Sequence, residues 1–307
     1  MKKRMIAKRW VASLIVLMMI VGLTACGNND TPVNTTGTQG TTISVNTDPS
    51  DPVVTEPLDT SEATEPVEET VEAPTADPDK ETLTGYEYEI TPIPGAVTAS
   101  TRVEASYFDD AVFVGDSVSL KLNYYAAASG ALGNAKFLTA GSLGSGNALW
   151  NVSSDSVHPV YNGEKRLIED SIASMQADKV YIMLGMNDLA IYGVDGAVEN
   201  LVKLIGRIQA NAPEAKIIVQ SMTPMTSTST LLSSVGHTPQ RIHEYNLKLM
   251  EVCKENGWYF LNVASVMYNT NGFLRRDYCS DPDGMGVHFT NAGCAAWVDY
   301  LSTHPIK

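Results

Sequence analysis

The sequence predicts an α/β fold, in which a five-stranded parallel sheet is covered by helices on both faces. Two observations carry that prediction. From residue 101 onward, short apolar runs alternate with longer amphipathic stretches, and strands alternating with helices call for right-handed crossovers between parallel strands. Residues 101–307 are also ample for one such core, and no internal repeat suggests another architecture.

The first strand is read at 111–114, an apolar run that stops at Gly115-Asp116-Ser117. A helix at 118–128 comes directly after it, which sets Ser117 on a strand-to-helix corner. The second strand is predicted at 136–139, ahead of Thr139-Ala140-Gly141-Ser142, and a helix at 164–176 comes next. The third strand, 180–184, runs into Gly185-Met186-Asn187-Asp188. Its helix, 197–210, carries Val198, Leu201, Val202, Ile205 and Ile208 on one face. The fourth strand is read at 216–220, succeeded by a long loop and a helix at 241–256 entered through Thr238-Pro239. The fifth strand, 259–263, leads by another loop to His288 and a closing helix at 291–302 capped by Thr290.

The residues just beyond each strand matter for function, because ligands in open α/β sheets bind at the carboxyl ends of the strands. With the strand order 2-1-3-4-5, the first and third strands flank the switch point, and Ser117 faces Asn187 across it. A serine hydroxyl is a poor nucleophile unless a base takes its proton, and ester cleavage also needs donors aimed at the oxyanion. Ser117 is the candidate nucleophile. Its own N–H, the N–H of Gly141 and the side-chain amide of Asn187 are the candidate oxyanion donors. Among five histidines, only His288 lies after the last strand and just before a capped helix, so it is the candidate base. His158, His237, His243 and His304 are read as surface or capping residues. His237 keeps a second reading as a substrate contact, since the loop after the fourth strand is long for a mere connection.

These blocks, Gly115-Asp116-Ser117, a glycine after the second strand, Gly185-x-Asn187-Asp188 and a late histidine, resemble those of the SGNH hydrolases, also called GDSL esterases. The resemblance covers roughly residues 107–304. It implies a flavodoxin-like three-layer α/β/α sandwich and ester hydrolysis through an acyl-serine, with no cofactor and no metal. The chain departs from the family pattern three residues before the histidine, where an aspartate is usual and Met285 stands. A thioether accepts hydrogen bonds too weakly to orient an imidazole. Asp283 is the preferred replacement, brought back by a bulge at Gly284 and Gly286. Asp281 and a main-chain carbonyl are the alternatives.

The amino-terminal third is of different character. Residues 1–26 begin with Lys2, Lys3, Arg4, Lys8 and Arg9, continue with an apolar run from Trp10 to Leu23, and end in Leu23-Thr24-Ala25-Cys26. This reads as an export signal. Its last four residues resemble a bacterial lipobox, which implies cleavage before Cys26, a lipid on its sulfur, and a protein anchored to the outer face of the cell membrane. Residues 27–100 hold 15 acidic residues against Lys80 alone, with 16 threonines and nine prolines. Such a composition cannot bury enough apolar surface to offset its conformational entropy, and it is read as a disordered stalk. The hydrolase domain is therefore placed at 101–307.

Composition narrows the partners. Residues 101–307 carry 15 basic and 20 acidic residues with no basic stripe, which argues against nucleic acid. Gly141, Gly144 and Gly146 lack the spacing of a nucleotide loop, and no Cys-x-x-Cys or His-x-x-x-His pair suggests zinc. Cys253 and Cys294 fall on apolar helical faces, and a disulfide between Cys279 and Cys294 is left open. The expected substrates are small acyl esters, above all O-acetyl groups on carbohydrate, since the stalk sets the domain among wall glycans. Transfer of the same acyl group to a sugar hydroxyl is the first alternative. A carbohydrate-binding protein that keeps the fold without activity is the second.

Overall fold

The computed structural model describes residues 90–307. The export signal expected at 1–26, the expected lipidation site Cys26 and the stalk expected at 27–100, up to residue 89, lie outside the described residues. Five strands form one parallel sheet: β1 (Ala111–Gly115), β2 (Lys136–Thr139), β5 (Lys179–Met183), β6 (Lys216–Gln220) and β7 (Tyr259–Leu261). Their order is β2-β1-β5-β6-β7, all neighbours parallel, which is the 2-1-3-4-5 order expected.

Alternate residues of each strand feed two cores, because successive side chains point to opposite faces. Val112, Val114, Val180, Ile182, Ile217 and Val219 pack with the short α2 (Ser145–Ala148), α3 (Ile168–Met175), α4 (Leu189–Asn211) and α5 (Pro239–Asn256). Ala111, Phe113, Tyr181, Met183 and Ile218 pack on the other face, with α1 (Ser117–Ser129) and α6 (Asn291–Thr303). Phe113 lies at the centre of that second core, stacked between Phe137 and Tyr181 with ring centroids 5.1 and 4.6 Å away. The result is a three-layer α/β/α sandwich. The registers Gly115↔Thr139 and Gly115↔Met183 leave the carboxyl ends of β1, β2 and β5 flush, so the segments after them meet at one edge.

Three expectations are corrected. The folded unit begins before residue 101: Ile93 is buried, Val97 N–H donates to Phe260 O at 2.9 Å, and Ser100 N–H donates to Thr303 O at 2.8 Å. The acidic composition stops short of this stretch, whose isoleucines and valine find apolar partners. The helix expected at 164–176 begins only at Ile168, because Val160–Tyr161 (β3) and Glu164–Lys165 (β4) form a small antiparallel hairpin. Asn162 and Gly163 take φ of 54° and 85° in its turn, the left-handed pair that Asn-Gly favours in two-residue hairpin loops. The helix expected at 197–210 starts early, at Leu189, and is interrupted where Gly193 leaves helical geometry. Cys253, Cys279 and Cys294 are all buried free thiols, so no bridge joins Cys279 to Cys294.

Candidate active site

β1 delivers Ser117 through a corner that tolerates little change. A Cβ on Gly115 would lie 2.0 Å from Ser119 Oγ and 3.0 Å from Met183 O, so the residue after Val114 has to be glycine. Asp116 caps the helix by accepting the Val118 N–H at 2.9 Å. Ser117 is the first residue of α1, where its N–H is one of those a helix leaves without an internal partner.

His288 reaches this serine from the far end of the chain. Its Nε2 lies 3.1 Å from Ser117 Oγ, and its Nδ1 lies 2.8 Å from Asp281 Oδ2. Burial raises the Asp281 carboxyl, but hydrogen bonds and the charge of His288 outweigh it and hold the group below its ordinary pKa. An ionised carboxylate only accepts, so Nδ1 carries the ring proton and the Nε2 lone pair faces the serine hydroxyl. That is the tautomer a general base needs.

The carboxylate that meets His288 is therefore Asp281, not the expected Asp283. Gly284 N–H and Gly286 N–H both donate to Asp281 O, at 2.9 and 3.0 Å, and Gly286 takes φ of 70° to close the turn. This turn folds the loop so that residue 281, seven positions before the histidine, returns to the ring. Asp281 Oδ1 also accepts the N–H groups of Val287 and His288, at 3.2 and 3.1 Å. Asp283 sits at the outer tip of the turn. There it forms a bidentate pair with Arg276 at 2.9 Å, and its side chain is 69% exposed.

A neighbouring loop supports this turn through its backbone carbonyls. Thr226 and Thr228 hydroxyls donate to Pro282 O at 2.6 and 2.8 Å, Ser229 Oγ donates to Met285 O at 2.6 Å, and Thr230 Oγ1 donates to Gly284 O at 2.9 Å. The run Thr226-Ser227-Thr228-Ser229-Thr230 is a visible sequence signal whose partners only the fold supplies.

Asn187 arrives at the cleft from the end of β5, after Gly185, whose φ of 140° and crowding by the Tyr245 ring admit no side chain. Its Nδ2 donates to Leu143 O at 3.0 Å and lies 3.5 Å from Asp116 Oδ2. Asp188 joins the site from the same block, a role its place beside Asn187 does not signal by itself. Its carboxylate accepts the N–H groups of Ser145 and Gly146, both at 2.8 Å, and so ties the end of β5 to the start of α2 in the loop after β2. From that loop the residue lining the cleft is Ser142, with φ of 59°, rather than Gly141. The fold brings Ser117, His288 and Asn187 to one cleft, and Asp281 rather than Asp283 meets the histidine.

His237 is buried in the cleft wall. Its Nε2 lies 2.8 Å from Met186 O and its Nδ1 3.0 Å from Val235 O, while burial lowers its pKa despite these contacts. His158 and His243 are also buried rather than on the surface, the first against Ser156 and Ala148 and the second against Thr91. His304 stacks on Tyr300 with centroids 3.8 Å apart. Among the described residues, no group of three or more histidines, cysteines or carboxylates is placed to hold a metal ion. No described helix is long and apolar enough to cross a membrane.

The family model described as the GDSL-like lipase/acylhydrolase family matches residues 113–296. No curated protein sequence matches the chain. Similar solved structures include a GDSL-like lipase from Bacteroides thetaiotaomicron, at 16% identity over 67% of this chain and 89% of that one, with a TM-score of 0.47. A carbohydrate acetylesterase family member from Sinorhizobium meliloti is similar at 15% identity, over 62% and 95% of the two chains, with a TM-score of 0.46. A carbohydrate esterase family 3 protein from Talaromyces cellulolyticus is similar at 16%, over 62% and 94%, with a TM-score of 0.40.

Proposed function

Because the chain belongs to the GDSL-like lipase/acylhydrolase family, we propose that it is a serine esterase working through an acyl-Ser117 intermediate. The observation that carries this reading is the linked geometry of Ser117, His288 and Asp281, with hydrogen-bond distances of 3.1 and 2.8 Å. Ser117 Oγ attacks the ester carbonyl as its proton passes to His288 Nε2, while Asp281 keeps the ring oriented and stabilises the imidazolium. The oxyanion that forms takes the Ser117 N–H at the start of α1 and an N–H of Asn187. One amide hydrogen is held by Leu143 O, and the other, aimed at Asp116 Oδ2 across a long 3.5 Å contact, turns to the oxyanion as it forms. His288 then returns the proton to the leaving alcohol. A water attacks the acyl-serine by the same route in reverse and frees the acid.

For the alcohol we infer a carbohydrate. The support is the signal and the acidic stretch ahead of the domain, which fit a lipid anchor at Cys26 and a spacer that sets the enzyme among wall glycans outside the cytoplasm. The purified protein is tested on nitrophenyl esters and acylated oligosaccharides, beside Ser117→Ala. Release of free acid by the wild type, and loss of turnover in the variant, is the expected result. Acylated sugar in place of free acid would make the enzyme a transferase. Wild-type rates in Ser117→Ala would refute the nucleophile.

A further inference from the structure

We propose that the acyl group this enzyme removes is a medium-length chain of about six to ten carbons, rather than the acetyl group expected from the sequence. The inference rests on the esterase reading above and concerns the cleft beside Ser117. That cleft has a volume of about 530 Å³. An acetyl group has three heavy atoms and fills no more than two or three waters would, at about 30 Å³ each. The available space is of the size that buries a whole drug-sized ligand.

The lining shows what would fill it. The cleft's polar lining includes Ser117, Ser142, Asn187 and His288, around which the ester carbonyl must sit, with Lys121 and Ser280 beside them. Its apolar wall is made by Met186, Met225, Leu231, Val235, Met285 and Val287, among others. A sugar placed against that wall would bury hydroxyls without partners, which costs free energy for each one. A hydrocarbon chain loses nothing there and gains from each methylene removed from water. Three of the six residues are methionines, whose flexible thioethers fit a chain without demanding one shape. Met285, which stands where the family has its aspartate, thus takes part in the acyl wall. The wall is also preformed: the loops that supply Met225, Leu231 and Met285 are joined by the Ser229–Met285 and Thr226–Pro282 hydrogen bonds.

The test is a series of nitrophenyl esters from acetate to dodecanoate, with the alcohol held constant and each kept below its micelle concentration. kcat/KM is expected to rise by up to about fourfold per methylene and to peak between six and ten carbons. Leu231→Trp, which fills the cleft from a partly exposed position, should lower the octanoate-to-acetate ratio at least tenfold. Should Leu231→Trp not fold, titration of Ser117→Ala with octanoate and with acetate reads the same site without turnover, and octanoate is expected to bind at least tenfold tighter. Acetate as the best substrate, or equal binding of the two acids, would overturn the inference while leaving the esterase intact. Rates that track the size of the alcohol in a series of acetates would overturn it too. A wild type that cleaves none of these esters would instead refute the esterase reading itself.

Discussion

Asp281→Asn is the substitution on which the triad can be judged most sharply. The variant amide has nearly the shape of the carboxylate, and its orientation is set by what already faces it. Oδ1 accepts the N–H groups of Val287 and His288, at 3.2 and 3.1 Å. The amide therefore keeps its oxygen there and turns its NH₂ toward His288 Nδ1, which lies 2.8 Å from the other carboxylate oxygen. A donor at that position forces Nδ1 to accept, so the ring proton moves to Nε2. Nε2 then presents an N–H to Ser117 Oγ at 3.1 Å and cannot take its proton. In serine triads this wrong-tautomer arrangement lowers kcat by about 10⁴, equivalent to about 5 kcal/mol of barrier. Steady-state kinetics on one nitrophenyl ester measure it, with thermal unfolding to check that the fold survives. Asp283→Asn, made in parallel, should change kcat by about threefold or less, because Asp283 pairs with Arg276 at an exposed position and makes no hydrogen bond to the ring. A loss below tenfold in Asp281→Asn, or an equal loss in Asp283→Asn, would refute the assignment of Asp281.

Asn187→Ala should lower kcat by about 10²–10³ with KM little changed, as loss of one oxyanion donor does, and a change confined to KM would make Asn187 a binding residue. Burial is the largest influence on Asp116 and raises its pKa from 3.8 to about 6. The folded state then holds this proton more tightly than the unfolded one, so its contribution to stability is complete below pH 4 and is lost as pH rises through 6. Asp116→Asn keeps an acceptor for Val118 N–H and removes the buried charge. Denaturant unfolding at pH 8 should find the variant more stable by up to about 3 kcal/mol, with no advantage at pH 3.5. Ser229→Ala leaves the Met285 carbonyl without its hydroxyl donor and should cost about 1–3 kcal/mol, measured in the same way.

The sheet, its order and three of the site residues were legible in the sequence for one reason. Each depends on a signal carried by adjacent residues. Apolar runs of strand length, the glycine that must succeed Val114, Asn187 close to Gly185 and Thr290 before the last helix are all local. The Asn162-Gly163 turn was local too, and it shows that the hairpin there was readable and overlooked. The choice between Asp283 and Asp281 was of another kind. Both lie close to His288 along the chain, and spacing favours the nearer one. The deciding feature is a turn closed by two N–H bonds to Asp281 O and supported by hydroxyls some 56 residues away in sequence. No pattern within the 281–288 stretch encodes that support. The same holds for the loop after β2, where Asp188 holds the N–H groups of Ser145 and Gly146 from more than 40 residues away. The sequence by itself determined the fold and the placing of Ser117, Asn187 and His288 beyond strand ends, because local chemistry sets them there. Only the tertiary structure decided which carboxylate meets the His288 ring and how large and apolar the cleft is, because both are set by contacts between segments far apart in the chain.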